Sequence, residues 1–183
     1  FDGRNVTDPR AIRKGMGTPS LELFKNEWKD LYGGIKTCHV FLEKVDLVPG
    51  MNVAVKARMI AEIRFIRAVN YARMIRIFGG VILRDETNGV DSEGQKDKAR
   101  ATEAESWDFV LKDLEFAARH LPKEWDSKWD GRLTKGAAYA YMCRTALFAK
   151  RWDVAITAAD EIKKLNKYDL MDNYEDVFKV AGN

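Results

Sequence analysis

The chain has 183 residues, 46% of them hydrophobic, including 5 Trp, 6 Tyr and 9 Phe, which supplies one domain with a sizeable core and excludes intrinsic disorder. Its 31 Lys and Arg against 28 Asp and Glu leave a formal net charge of +3, too little to require a nucleic acid or an anionic membrane as partner. Two cysteines, Cys38 and Cys143, exclude a disulfide scaffold, and charges interrupt every apolar stretch well before the ~18 residues that a membrane-spanning helix needs.

Residues 1–18 carry Gly3, Pro9, Gly15 and Gly17 among polar residues, with no periodic apolar face, and read as a loop. From Thr18-Pro19-Ser20 onward, Leu21, Phe24, Trp28, Leu31, Ile35, Cys38, Phe41, Leu42 and Val45 recur three or four apart. That is the stripe of an amphipathic helix, with Pro19 suited to its first turn. Gly33-Gly34 inside the stripe costs about 2 kcal/mol of helix propensity against two alanines, which predicts close packing or a kink there. After the Pro49-Gly50 turn a helix is expected from about Asn52 to Phe78, roughly 40 Å long, stopped by Gly79-Gly80. Val55, Met59, Ile63, Ile66, Asn70, Met74 and Ile77 are predicted to share its inner side, with Arg58, Arg64, Arg67, Arg73 and Arg76 around the rest.

Val81-Ile82-Leu83 reads as a short extended stretch, and Asp85 to Ala99 as a long polar surface loop. Thr102 with Glu105 forms a capping box that opens a third helix, whose stripe of Trp107, Val110, Leu111, Leu114, Ala117, Ala118 and Leu121 ends at Pro122. A charged loop, Lys123 to Gly131, follows. Leu133 to Lys150 and Trp152 to Leu165 are two further helices dense in alanine, joined by so few residues that they must be antiparallel neighbours. Their combined length of about 34 residues, with small residues where they cross, matches a tetratricopeptide unit. Tyr174, Val177 and Phe178 suggest the start of another helix. No window alternates as a strand does, so the expected class is all-α, built from antiparallel helical hairpins.

Catalytic signatures are missing. His39 and His120 are the two histidines, neither in a His-Glu-x-x-His arrangement, and the neighbours Cys38 and His39 are expected to point to different sides of a helix, so neither a metal site nor a nucleophilic dyad is indicated. Gly33-Gly34-Ile35-Lys36-Thr37 lacks the first glycine and the Gly-Lys pair of a phosphate loop, and the acidic run Asp85 to Asp91 breaks the calcium-loop order at Thr87. Glu62 stands four residues from Arg58 and is expected to pair with it on one helix face. Trp125 and Trp129, four apart beside Lys123 and Lys128, are either indoles packed under their loop, the preferred reading, or a surface on which sugar rings stack.

The ordered set Trp28-x-x-x-Tyr32-Gly33-Gly34-Ile35-x-x-Cys38-x-x-Phe41-Leu42, then Arg58-Met59-Ile60-Ala61-Glu62-Ile63-Arg64-Phe65-Ile66-Arg67-Ala68 running on to Arg76-Ile77-Phe78-Gly79-Gly80-Val81, resembles the N-terminal part of SusD/RagB outer-membrane nutrient-binding lipoproteins. Arg100-Ala101-Thr102, Gly131-Arg132-Leu133-Thr134-Lys135-Gly136 and Arg151-Trp152-Asp153 agree in order, so the resemblance spans about residues 20–180. It implies a SusD-like αα superhelix in one helical region over 1–183: a loop at 1–18, a long helix pair at 19–83 and tetratricopeptide-like helices at 100–178, without the family's C-terminal half. The sequence opens on Phe1-Asp2-Gly3 and closes on Ala181-Gly182-Asn183 in mid-flow, so it reads as a piece of a longer chain.

The resemblance further implies a surface-exposed lipoprotein of the outer membrane, held only through a lipid anchor this chain lacks. Such a protein caps a SusC-like TonB-dependent transporter and binds a glycan or, in some members, a peptide, without cleaving it and without a cofactor or metal. In such proteins the N-terminal ligand contacts come from the loop before the first long helix, which here makes Asp2, Arg4 and Asn5 the candidates for hydroxyl contacts. Trp125 and Trp129 are the other ligand candidates. The competing reading is an intracellular tetratricopeptide-like adaptor whose groove binds a partner helix or peptide tail.

Overall fold

The computed structural model describes residues 10, 12–85 and 98–179. Among the described residues five long helices follow one another: α1 (Glu22–Lys44), α2 (Val53–Phe78), α3 (Glu103–His120), α4 (Lys135–Phe148) and α5 (Trp152–Lys164). Each packs on the next in chain order, so the molecule is a run of helix pairs with its core along their seams. Among the described residues there is no β-strand, in agreement with the all-α class.

The α1 stripe is as expected: Leu31, Ile35, Cys38, Leu42 and Val45 are buried, with Phe24, Trp28 and Phe41 half-buried. Two details differ. The helix starts at Glu22, and Pro19 lies in the turn before it. Cys38 and His39 are both buried, because α1 turns more than a single narrow stripe toward its neighbours. Burial pushes the Cys38 thiol above its usual range, which makes it a packed small side chain and a poor nucleophile. Gly33-Gly34 produces close packing and leaves the helix unbroken: a Cβ on Gly34 would stand 3.1 Å from Oδ1 of Asn70 on α2, while Gly33 faces open space.

Asn52 caps α2 by accepting from the Ala54 and Val55 amides at 2.9 and 3.2 Å. Its inner surface differs from expectation. Ala61, Phe65, Arg67, Ala68, Tyr71, Ala72, Met74 and Ile75 are buried, whereas Val55, Ile66 and Ile77 are exposed. The helix lies between α1 and α3, and the alanines that let both partners come close carry little weight in a pattern read from large apolar side chains. Arg67 and Asp113 are the charged residues in this core, 1% and 3% exposed. The Arg67 guanidinium makes a two-pronged contact with the Asp113 carboxylate, Nε to Oδ2 at 2.7 Å and Nη2 to Oδ1 at 2.8 Å, and lies 4.9 Å from the Phe109 ring centroid. Arg64 approaches the same carboxylate at 4.0 Å and lies 4.3 Å from the ring centroid of Phe116.

The Thr102 capping box of α3 is formed in full. On α4, Gly136, Ala138, Thr145 and Ala146 are buried, and on α5 Ala155 and Ala158, so what this pair buries is small side chains. Lys150, at φ 56°, reverses the chain between them. Tyr174–Phe178 forms a 3-10 turn with Tyr174, Val177 and Phe178 exposed, where the sequence predicts the start of a helix. Among the described residues that segment has no apolar surface to bury its stripe, and tertiary burial is what sustains most short helices.

Removing Asp113 takes the two-pronged acceptor away from the buried Arg67 guanidinium and the carboxylate away from Arg64. Asp113→Ala is expected to cost about 3–5 kcal/mol, and Arg67→Met with Asp113→Leu to recover most of it. Urea unfolding monitored by circular dichroism measures both; equal losses in the single and double variants would show that packing, not charge, holds this seam.

Candidate functional site

At one end of the α1–α2 pair lies an open cavity of about 790 Å³. Its walls come from residues 12–19, the first two turns of α1 (Phe24, Lys25, Trp28), the end of α2 (Ile77, Phe78) and Arg100. Phe24 and Trp28 recur at i and i+4 on α1 and meet Phe78 edge-on, with ring centroids at 6.4 and 5.1 Å. Tyr32 continues the row 4.9 Å beyond Trp28. The Arg100 guanidinium lies 4.8 Å from the centroid of the Trp28 ring, a cation–π contact.

The segment that follows α2 is held by phenols. Gly79, at φ 69°, turns the chain off α2, and Gly80 passes so close to Ala101 that a Cβ would stand 2.1 Å from its carbonyl oxygen. The extended stretch from Val81 to Arg84 then runs past the helices with few backbone partners of its own. The Tyr32 hydroxyl accepts from the Ile82 amide at 2.8 Å and lies 2.9 Å from the Ile82 carbonyl, to which it donates. Tyr71 accepts from the Arg84 amide at 2.7 Å. Ala101 N–H bonds Val81 O at 2.9 Å, and Lys98 meets Asp85 at 2.8 Å. Burial pushes the Tyr32 phenol up to about 12, against the Ile82 bond and nearby Arg84 and Arg100, which favour the anion. Burial raises Tyr71 as well.

A second cluster joins α2 to the loop before α4. Arg132 stands 4.1 Å from the ring centroid of Trp125 and 5.0 Å from that of Trp129, and grips Glu62 with Nε–Oε1 at 2.9 Å and Nη2–Oε2 at 2.5 Å. Glu62 therefore pairs across 70 residues with Arg132, not with Arg58 one helical turn away; Arg58 lies 5.7 Å from the Trp125 centroid instead. A planar guanidinium matches a carboxylate in a fork and stacks on indoles at once, which an in-helix pair could not combine. The Glu62 bond raises the Arg132 pKa. Trp125 donates its indole N–H to Leu133 O at 2.8 Å and is half-buried, while Trp129 is 47% exposed.

Asp2, Arg4 and Asn5 lie outside the described residues, as does the acidic run 86–91. Among the described residues no group of three or more His, Cys, Asp or Glu is arranged to hold a metal ion, and no helix is long and apolar enough to cross a membrane. Among the cleft residues, Phe24 and Trp28 carry a sequence signal as part of the α1 stripe, and Trp28 and Phe78 as part of the family motif. Arg100 carries none beyond opening the next helix, because its position over Trp28 is a tertiary contact.

Comparison with known families decides the matter. Residues 17–147 match the family model of SusD-like proteins described as starch-binding and associating with the outer membrane. The chain belongs to the SusD-like family. It is 27% identical to the SusD-like protein P25 of Formosa agariphila over 179 residues, 95% of this chain and 34% of that protein. It superposes on the crystal structure of a SusD-like protein from Bacteroides fragilis with a TM-score of 0.79 and 34% identity, over 86% of this chain and 30% of that one. A further structure, containing a xylogluco-oligosaccharide, gives a TM-score of 0.75 at 25% identity over 96% of this chain and 36% of that one. This SusD-like chain thus spans about a third of the length of its relatives, in a family of binding proteins and not of enzymes.

Tyr32 gives two predictions. Tyr32→Phe removes both hydroxyl bonds to Ile82 and is expected to cost about 1–2 kcal/mol, with the Ile82 amide losing protection in hydrogen exchange. Because the folded pKa is raised, the contribution of Tyr32 to stability is complete below its unfolded value of 10.0 and falls as pH climbs toward about 12. Over that interval the parent protein is expected to lose stability more steeply than Tyr32→Phe in thermal melts; parallel curves would refute the assignment.

Proposed function

We propose that the full-length protein is the glycan-binding component of an outer-membrane uptake system. It is a surface-exposed lipoprotein that holds an oligosaccharide and passes it uncut to a SusC-like TonB-dependent transporter. The family match over residues 17–147 carries this reading. A relative that holds a xylogluco-oligosaccharide on the same fold supports it.

The cleft of Phe24, Trp28 and Phe78 has the chemistry the task needs. Aromatic edges and faces suit the apolar side of a pyranose ring, and a stiff helix pair keeps them in place without a cost in ordering at each binding event. Asp2, Arg4 and Asn5, which precede the cleft-lining residues in sequence, supply hydroxyl contacts in this reading. Trp129, with its exposed ring, offers a subsidiary stacking surface beside Trp125. Binding and hand-over need no nucleophile, acid or metal.

Native affinity electrophoresis of the full-length protein through gels containing soluble polysaccharides tests this directly. Retardation by at least one polysaccharide, with its chain length unchanged after incubation, is expected. Free migration through every gel, or shortened products, would sink the proposal.

A further inference from the structure

The cleft carries a charge pattern that the net charge of the chain conceals. Lys25 and Arg100 line the cavity, and no carboxylate is among its described lining residues. Arg10, Arg13 and Lys14 line a smaller cavity on the same N-terminal segment whose Ile12 and Gly15 form part of the main cavity wall. Ion pairs are common elsewhere on this surface: Arg73 with Glu27, Arg119 with Glu115, Arg151 with Asp108, Lys167 with Glu124. None of these five cations has a carboxylate within ion-pair distance among the described residues. In a chain with nearly as many acids as bases, five cations at one end with no carboxylate partner among the described residues, two of them in an aromatic-walled cavity, form a local positive field.

From this we infer that the cleft is selective for an anionic glycan, an oligosaccharide bearing carboxylate or sulfate groups, and discriminates against neutral chains. The inference deepens the proposed function and rests on it. The aromatic row Phe24–Trp28–Phe78 receives the apolar face of a sugar ring, and the anion is met at the rim by Arg100 and Lys25. Arg100 is held over Trp28 and presents a planar donor fork suited to carboxylate or sulfate oxygens. Lys25 adds a mobile point charge from the neighbouring turn of α1. A neutral sugar would stack equally well but would leave both cations without a counter-charge, so the selectivity is electrostatic and screened by salt.

The test is isothermal titration calorimetry of the full-length protein, at low and at physiological ionic strength, with oligogalacturonate, sulfated carrageenan oligosaccharides, maltoheptaose and a xyloglucan oligosaccharide. At least one of the two anionic probes is expected to bind more tightly than both neutral ones, and more weakly as salt rises; which one responds distinguishes a carboxylate from a sulfate ligand. The double variant Lys25→Gln/Arg100→Gln changes exposed side chains and is expected to keep its melting temperature while losing about tenfold or more in affinity for that probe. Tighter binding of a neutral probe, or anionic binding that ignores both salt and the double variant, overturns the inference and leaves the proposed function standing. Failure of all four probes, with no retardation in the polysaccharide gels, overturns both.

Discussion

A guanidinium and a carboxylate almost sealed from water set the register of α2 on α3. Burying two charges is costly, and the cost is offset only when the partners meet in the two-pronged geometry that Arg67 and Asp113 adopt. Sliding or rotating α2 by one residue would leave both charges unpaired in the core, so the pair selects one arrangement from the many that a helix lined with alanine would tolerate. Phe109 and Phe116 carry the flanking guanidiniums of Arg67 and Arg64, which ties charge and packing into one seam.

The rest follows from that register. With α2 fixed, Tyr71 points its hydroxyl at the Arg84 amide while Tyr32 reaches Ile82 from α1. Two phenols thus tie an extended segment to two helices, and that segment lies beside Ala101, close enough that Gly80 must be glycine. Arg100, next to Ala101, lies over Trp28. The cleft is therefore made by no one element: α1 supplies Phe24, Trp28 and Lys25, the end of α2 supplies Ile77 and Phe78, residues 12–19 form a further wall, and Arg100 adds a cation.

The Trp125–Arg132–Trp129 cluster applies the same principle elsewhere. Glu62 neutralises an arginine that stacks on two indoles, and this anchors the loop before α4 to the middle of α2. Rigid attachment of loops to packed helices is what a binding scaffold needs, since a recognition surface that must be ordered on each encounter loses affinity. The small side chains buried on α4 and α5 extend the platform by the same close approach that Gly34 allows between α1 and α2.

By itself the sequence determined the class, both ends of α2, the start of α3 and the family. Those features are local or written in order along the chain: the Thr102 capping box, the Asn52 start and Gly79 stop of α2, the α1 stripe, and the motifs from Trp28 to Gly80. Only the tertiary structure decided which side of α2 is buried, that Glu62 belongs to Arg132, and that Lys25, Trp28, Phe78 and Arg100 share one cavity. Periodicity reports one apolar face of one helix. It is silent when two partners press on opposite sides through alanine, and when a contact joins groups 46 or 70 residues apart, because the energy of such a contact lies in geometry that the chain acquires only by folding.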